Sequence, residues 1–391
     1  MISEEEARGR ILDAIHPLAA RRTSIARALD YFTAEDYFAR LPLPAFDNSA
    51  MDGYAVLARA SAKGARLRVT GEQSAGRDKE LHVLPGEAIR IFTGAAMPSG
   101  ADAVVMQEDV KRDGDEIVIN TDVESGEFIR GRGCDLAQGQ KILVKGEQIR
   151  ATTVALLASQ GFADVMIGGQ VNAAILATGD ELVKPGGNLE PGQIYESNSA
   201  LLGALLKRCG ADVSSVEHCR DERRSTVQAV NRATKNHVLI ISGGISVGEH
   251  DLVKDALHEL GAQIDIWRVA IKPGKPFLFG NIGECLVFGL PGNPVSAFVT
   301  FLQFVRPAIL GMMGATNPDL PRVPAKLTVG LMNDGDRVHY FRGRVECGQF
   351  TPVGRQESHA LFGLSKSNGL LRLEPGQSLK AGEIADVQIW E

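Results

Sequence analysis

The chain has 391 residues, 44% of them apolar and 23% charged, with a formal net charge of −6. That length allows two to four domains with cores of their own, and the composition excludes extensive disorder. The negative balance excludes a global positive field for nucleic acid or a membrane surface, so an anionic ligand has to be held locally.

Five cysteines (Cys134, Cys209, Cys219, Cys285, Cys347), none with CxxC spacing, argue against a zinc site or a disulfide framework and for a reducing cytoplasm. The acidic start, Ser3-Glu4-Glu5-Glu6, lacks the basic and then apolar pattern of a secretory signal. Ser3 with Glu6 forms a capping-box pattern ahead of Ile11, Leu12 and Ile15 at helical spacing, and a second helix is expected over 24–39, before two prolines at 42 and 44. Residues 1–45 therefore read as a helical N-terminal module. From 46 to 143 short β-rich runs (54–56, 67–69, 88–92, 103–106, 116–119) alternate with turns, which predicts an inserted β domain. Residues 144–170, with a helix over 152–160, return the chain to the first module. Over 171–319 apolar strands (171–177, 212–216, 237–242, 285–290) alternate with helices (199–209, 221–233, 251–260, 295–310), the pattern of a three-layer α/β domain on a mainly parallel sheet. The most apolar stretch, 297–313, is interrupted by Gln303, Arg306 and Pro307 and reads as a buried helix, not a membrane span. Residues 320–391 predict a C-terminal β-barrel-like domain without a convincing helix. The fold class expected is thus multi-domain α/β plus β, in a cytoplasmic protein with no membrane and no nucleic-acid partner.

Three strands of the α/β part run directly into glycine-rich or polar loops. The first continues as Thr178-Gly179-Asp180-Glu181, the second as Ser242-Gly243-Gly244-Ile245-Ser246-Val247-Gly248, and the third as Pro291-Gly292-Asn293-Pro294. In an open parallel sheet such loops converge at the carboxyl edge, and glycines with helix N-termini suit an oxyanion. None is a Walker A loop or a GxGxxG fingerprint, which disfavours a P-loop NTPase or a nicotinamide dehydrogenase. Acids in the same loops (Asp180, Glu181, Asp251, with Asp221 nearby) would repel a phosphate unless a cation intervened, and Mg²⁺ is the natural one. Asp221 and Asp251 could equally be helix caps. Arg268, Lys272 and Lys275, fixed within WRVAIKPGKP, are the cationic counterpart. Asn48-Ser49-Ala50-Met51-Asp52-Gly53 and Arg90-Ile91-Phe92-Thr93-Gly94, taken singly, read as turns.

Together the segments NSAMDGYAV (48–56), RIFTGAAMPSGADAVVMQE (90–108), ATGDEL (177–182), SGGISVGEHD (242–251), KPGKP (272–276) and GLPGNPVSA (289–297) closely resemble the MoeA family, the molybdopterin molybdenumtransferases, which include the C-terminal domain of gephyrin. The resemblance implies insertion of molybdenum from molybdate into adenylylated molybdopterin, with release of AMP and a Mg²⁺ requirement. It also implies an elongated homodimer whose active site is shared between subunits, downstream of a molybdopterin adenylyltransferase. On that basis Asp52, Thr93, Glu181 and Asp221 are the catalytic candidates, Asp52 and Thr93 acting in trans, and Glu181 and Asp52 both candidates to hold the attacking water. Asp180, Glu181 and Asp251 are the metal candidates. The loop residues Thr178, Gly179, Ser242, Gly243, Gly244, Ser246, Gly248, Pro291, Gly292, Asn293 and Pro294, together with Arg268, Lys272, Lys275, Arg344 and Ser365, are expected to bind the pterin phosphate or molybdate. Cys134, where the family commonly has an acid, and Arg268, where it commonly has lysine, depart from the pattern. A scaffold that only binds the pterin and an adenylyltransferase are the rival functions. The acid set argues against the first, and the additional β domains argue against the second.

Overall fold

The computed structural model describes residues 1–244 and 252–390. The chain divides into two compact units: one comprises Met1–Glu35, Lys145–Val154 and Asp164–Glu391, the other Asp36–Val144 and Ala155–Ala163.

The first unit is built on a six-stranded sheet in the order Asp212–Cys219, Asn172–Thr178, Val238–Ser242, Cys285–Leu290, Leu278–Ile282, Gln263–Trp267. The first four strands are parallel and the last two antiparallel. Alternate side chains of the central strands face opposite layers: Ala173, Ile175, Val238 and Ile240 join one core cluster, Ala174, Leu176, Leu239 and Ile241 the other. Helices Asn198–Arg208 and Pro294–Met312 cover the first face, and Arg223–Ala233 and Leu252–Glu259 the second, giving the three layers expected. A fully buried Leu or Ile is worth about 1.5–3 kcal/mol, so this two-faced core is what fixes the sheet edge that carries the loops. Helix Pro294–Met312 is long and apolar enough to cross a membrane, but 89% of its apolar window is buried inside the unit, as a core helix should be. It widens to a π-helical turn over Phe301–Val305.

Strands Arg322–Leu327, Val338–Glu346, Gln349–Pro352, Gly369–Leu373 and Ile384–Ile389 pair in a closed ring, and Ile271–Lys272 adds to it by parallel pairing with Val338–His339. The C-terminal part is therefore a small barrel, with one short helix, Leu361–Ser365, where the sequence predicted none. At the N-terminus, helix Glu4–Asp13 is capped by Ser3, whose Oγ accepts from Glu6 N at 3.0 Å.

The expected helix over 24–39 does not form. Arg21–Ser24 pairs antiparallel with Asp164–Ile167, and the amides of Asp30, Thr33 and Ala34 donate to Ile149, Glu147 and Met166. This stretch carries the aromatics Tyr31, Phe32, Tyr37 and Phe38, and long-range pairing overrides its local helical spacing.

The second unit carries a six-stranded sheet in the order Ala103–Met106, Gly53–Val56, Glu87–Ile91, Arg66–Gln73, Glu116–Ile119, Val110–Asp113. All neighbours are antiparallel except Arg66–Gln73 with Glu87–Ile91. Tyr54, Val56, Leu67, Ile117 and Ile119 fill one of its cores. All five cysteines are free.

Candidate active site

Because Ala177 pairs with Ser242 and Ser242 with Leu290, the three loops leave the sheet at one level. They open on a cleft of ≈ 990 Å³ whose walls include Thr178, Gly179, Glu181, Asp221, Ser242, Gly243, Gly244 and the segment 291–294. Backbone crowding explains the glycines. Gly244 sits at φ +66°, and a Cβ there would lie 2.5 Å from Thr178 Oγ1 and 2.6 Å from Val253 Cγ2. Lys272 and Lys275 line the same cleft, on a segment whose Pro273 and Gly274 are buried. The loop 356–359 of the barrel completes the wall: Asn293 Nδ2 donates to Ser358 Oγ at 2.9 Å, and Val295 N to Ser358 O at 3.1 Å.

Asp180, Glu181 and Asp221 form the acidic side. Asp221 N donates to Asp180 Oδ1 at 3.2 Å. Burial, and then the charges of Asp180 and Glu181, push the Asp221 carboxyl above its ordinary range. His218 Nε2, held 2.9 Å from the Gly179 carbonyl, must carry the proton of that hydrogen bond. Among the described residues no three His, Cys, Asp or Glu side chains converge as a metal cage. Asp251, expected as a metal ligand, and Ser246 and Gly248, expected at the phosphate, lie outside the described residues.

Three expected binding residues are not brought to the cleft. Arg268 ends the antiparallel edge strand in a left-handed turn (φ +87°), its amide bonded to Phe277 O. Arg344 is exposed and paired with Glu346 at 3.2 Å, and Ser365 Oγ donates to Phe362 O within its own helical turn. Sequence reasoning did not single out Arg342, the first arginine of Arg342-Gly343-Arg344. Arg342 is 1% exposed, and its Nε and Nη2 have no partner among the described residues. It lies directly behind the cleft wall, its amide donating to Gln356 Oε1 at 3.0 Å and its charge felt by Glu357. Next to it, His339 is 5% exposed with both ring nitrogens unpartnered among the described residues. Burial and the nearby charge of Lys272 push its imidazole down to about 4, so it is neutral at pH 7. Asn198, Tyr195 and Arg337 also line the cleft and were not foreseen. The Ser-Asn-Ser run ahead of an apolar helix was the only signal for Asn198.

The second unit brings together two motifs that looked like separate turns. Strand Gly53–Val56 pairs with Glu87–Ile91, placing Thr93 beside Asp52. Thr93 N and Oγ1 both donate to Asp52 Oδ1 at 2.8 Å, and these bonds hold the exposed carboxyl below its ordinary range. A Cβ on Gly53 would lie 1.9 Å from Val105 O, so only glycine fits between the strands beside Asp52. Arg90 is clamped by Gly53 O at 3.2 Å and by the Gln107 side chain, and adds positive potential at Asp52.

Comparison with known proteins matches three family models in chain order. They are the MoeA N-terminal region (domain I and II) over 2–161, a probable molybdopterin binding domain over 174–311, and the MoeA C-terminal region (domain IV) over 324–390. A molybdopterin molybdenumtransferase of Haemophilus influenzae is 36% identical over 99% of this chain and 98% of its own. Molybdopterin molybdenumtransferase 2 of Mycobacterium tuberculosis is 35% identical over 91% of each chain. A crystal structure of the molybdopterin biosynthesis moeA protein of Pyrococcus horikoshii OT3 superposes with a TM-score of 0.86 at 28% identity, over 100% of both chains.

Proposed function

This chain belongs to the MoeA family, and we propose on that premise that it inserts molybdenum from molybdate into adenylylated molybdopterin, releasing AMP, in molybdenum cofactor biosynthesis. One observation carries the reading from this chain's own atoms. A cleft edged by Thr178-Gly179, Gly243-Gly244 and the segment 291–294 has acids at one side and, behind its wall, a fully buried arginine with donors unspent among the described residues. The loops suit the pterin phosphate and the phosphoanhydride. Lys272, Lys275 and, behind the wall, Arg342 suit a compact dianion such as molybdate, because a buried guanidinium with unspent donors is strongly biased toward an oxyanion.

In the reaction the anhydride P–O bond breaks, AMP leaves, and the two dithiolene sulfurs replace oxygen ligands of molybdate, which depart as water once protonated. Glu181 and Asp52 are the carboxylates able to hold the attacking water and move those protons, Asp52 being kept ionised by Thr93. Asp180 and Glu181, with Asp251, would hold Mg²⁺, which supplies charge neutralisation at the anhydride when bound. The active form is a homodimer in the cytoplasm, with Asp52 and Thr93 of one subunit serving the cleft of the other, and it takes its substrate from a molybdopterin adenylyltransferase.

The test is to mix purified protein, adenylylated molybdopterin, Mg²⁺ and molybdate and follow AMP. Molybdate-stimulated AMP release is expected, and none would sink the assignment. Consumption of ATP with adenylylation of free molybdopterin would favour an adenylyltransferase instead. For the shared site, Asp52→Asn and Glu181→Gln chains are unfolded together and refolded. Half the dimers are then mixed and each mixed dimer keeps one intact site, so about a quarter of wild-type activity should return. No recovery would refute action in trans.

A further inference from the structure

Asn198 opens helix Asn198–Arg208 and is 7% exposed. Its side chain reaches two of the three loops at once: Nδ2 donates to Ser242 Oγ at 2.8 Å and to the Gly292 carbonyl at 2.7 Å. The amide orientation is not open to a flip, because the Gly292 carbonyl can only accept. Both N–H donors are therefore spent on bridging loops that are 44 and 94 residues away in the chain. The helix does not use this side chain as a cap, since Ser199 N donates instead to Glu196 Oε1 at 2.8 Å. What remains is Asn198 Oδ1, buried and without a donor among the described residues; Thr178 Oγ1, another residue of the cleft lining, is in the same condition. An unsatisfied buried polar atom costs stability that a structural asparagine would not need to spend, and such atoms concentrate where a ligand completes the pairing.

We propose that Asn198 is the positioning residue of the anion site: it fixes the spacing between Ser242-Gly243-Gly244 and Gly292-Asn293, so that the amides of Gly244, Gly292 and Asn293 address one phosphate together. Ser242 and Gly292 are the atoms through which it acts, and Asn198 Oδ1 with Thr178 Oγ1 form the polar floor on which an N–H or O–H of the bound molecule is received. This rests on the anion-binding role of the cleft and is independent of the metal-transfer step.

The experiment compares the full wild-type chain with Asn198→Ala and Asn198→Asp. Each is titrated calorimetrically with inorganic phosphate and with AMP, and its thermal midpoint is recorded. Asn198→Asp is isosteric and can still accept from Ser242, but it cannot donate to Gly292, so it tests the tie even if the alanine variant folds poorly. Both variants are expected to bind phosphate and AMP at least tenfold more weakly while their midpoints, though lowered, stay above the titration temperature. In turnover the loss should fall mainly on KM for the adenylylated pterin, with a smaller fall in kcat. Wild-type affinity in a folded Asn198→Asp variant would overturn the proposal, as would a loss of kcat alone. Failure of the wild type itself to bind either probe would overturn both this proposal and the anion-site reading, whereas intact binding without molybdate-stimulated turnover would sink only the assigned reaction.

Discussion

His339 gives the account its most quantitative consequence for stability. In an unfolded chain its imidazole titrates near 6.5, whereas burial beside Lys272, Arg337 and Arg342 pushes it down to about 4 in the folded state. The unfolded chain therefore binds more protons between these values, and stability rises with pH across the window. The contribution is fully present above about 6.5 and is lost as pH falls towards 4. At about 1.4 kcal/mol per pKa unit, the step from pH 7 to pH 5 removes about 2 kcal/mol through this one residue. His339 is almost fully buried, so solvent screening does not reduce the figure much. His339→Leu removes the titration with little change in volume, beside Phe341, whose ring centroid is 3.9 Å away. Urea unfolding of both chains at pH 7 and pH 5 isolates the effect as a double difference. The variant should be less sensitive to acid by about 2 kcal/mol and at least as stable at pH 7, because two unpartnered ring nitrogens are gone. Equal acid sensitivity in the two proteins would refute the reasoning.

The acid cluster and the loops yield further expectations. Glu181→Gln should lower turnover by roughly 10²–10⁴-fold while pterin binding persists; wild-type-like rates would remove Glu181 from the chemistry. Asp221→Asn should lower turnover yet raise the thermal midpoint at neutral pH. Its carboxyl is pushed up in the folded state, so its ionisation there opposes folding, and that penalty grows as pH rises through the raised value. An unchanged or lower midpoint would contradict the repulsion argued from Asp180 and Glu181. Gly244→Ala, with a methyl 2.5 Å from Thr178 Oγ1, should abolish phosphate binding measured by calorimetry; retained affinity would mean that this loop is not part of the anion site.

What the sequence disclosed follows physical range. The runs ending at Thr178, Ser242 and Leu290 were legible because strands buried on both faces are apolar without interruption and the loops after them are glycine-rich. The antiparallel edge was missed. Gln263–Trp267 mixes polar and apolar residues, and Leu278–Ile282 contains Gly280, whose Cβ position lies 2.3 Å from Gln263 O. The expected helix over 24–39 failed because its amides are claimed by residues more than a hundred positions away. The same holds at the site. Asn198 and Arg342 are defined by distant partners and by burial, neither of which a short motif encodes, so sequence reasoning passed over both. Asp52 and Thr93 were found through resemblance, and their hydrogen bonds supply the physical reason that two turn-like motifs belong together.

The central claim concerns where molybdenum ends up. The most direct measurement is X-ray absorption at the molybdenum edge of protein freed of excess molybdate after one turnover with adenylylated molybdopterin. The account predicts a molybdenum shell containing the two dithiolene sulfurs, in stoichiometric step with released AMP. A shell of oxygen atoms only, with AMP released all the same, would show a hydrolase that binds molybdate, and would contradict the assignment of this cleft to metal insertion.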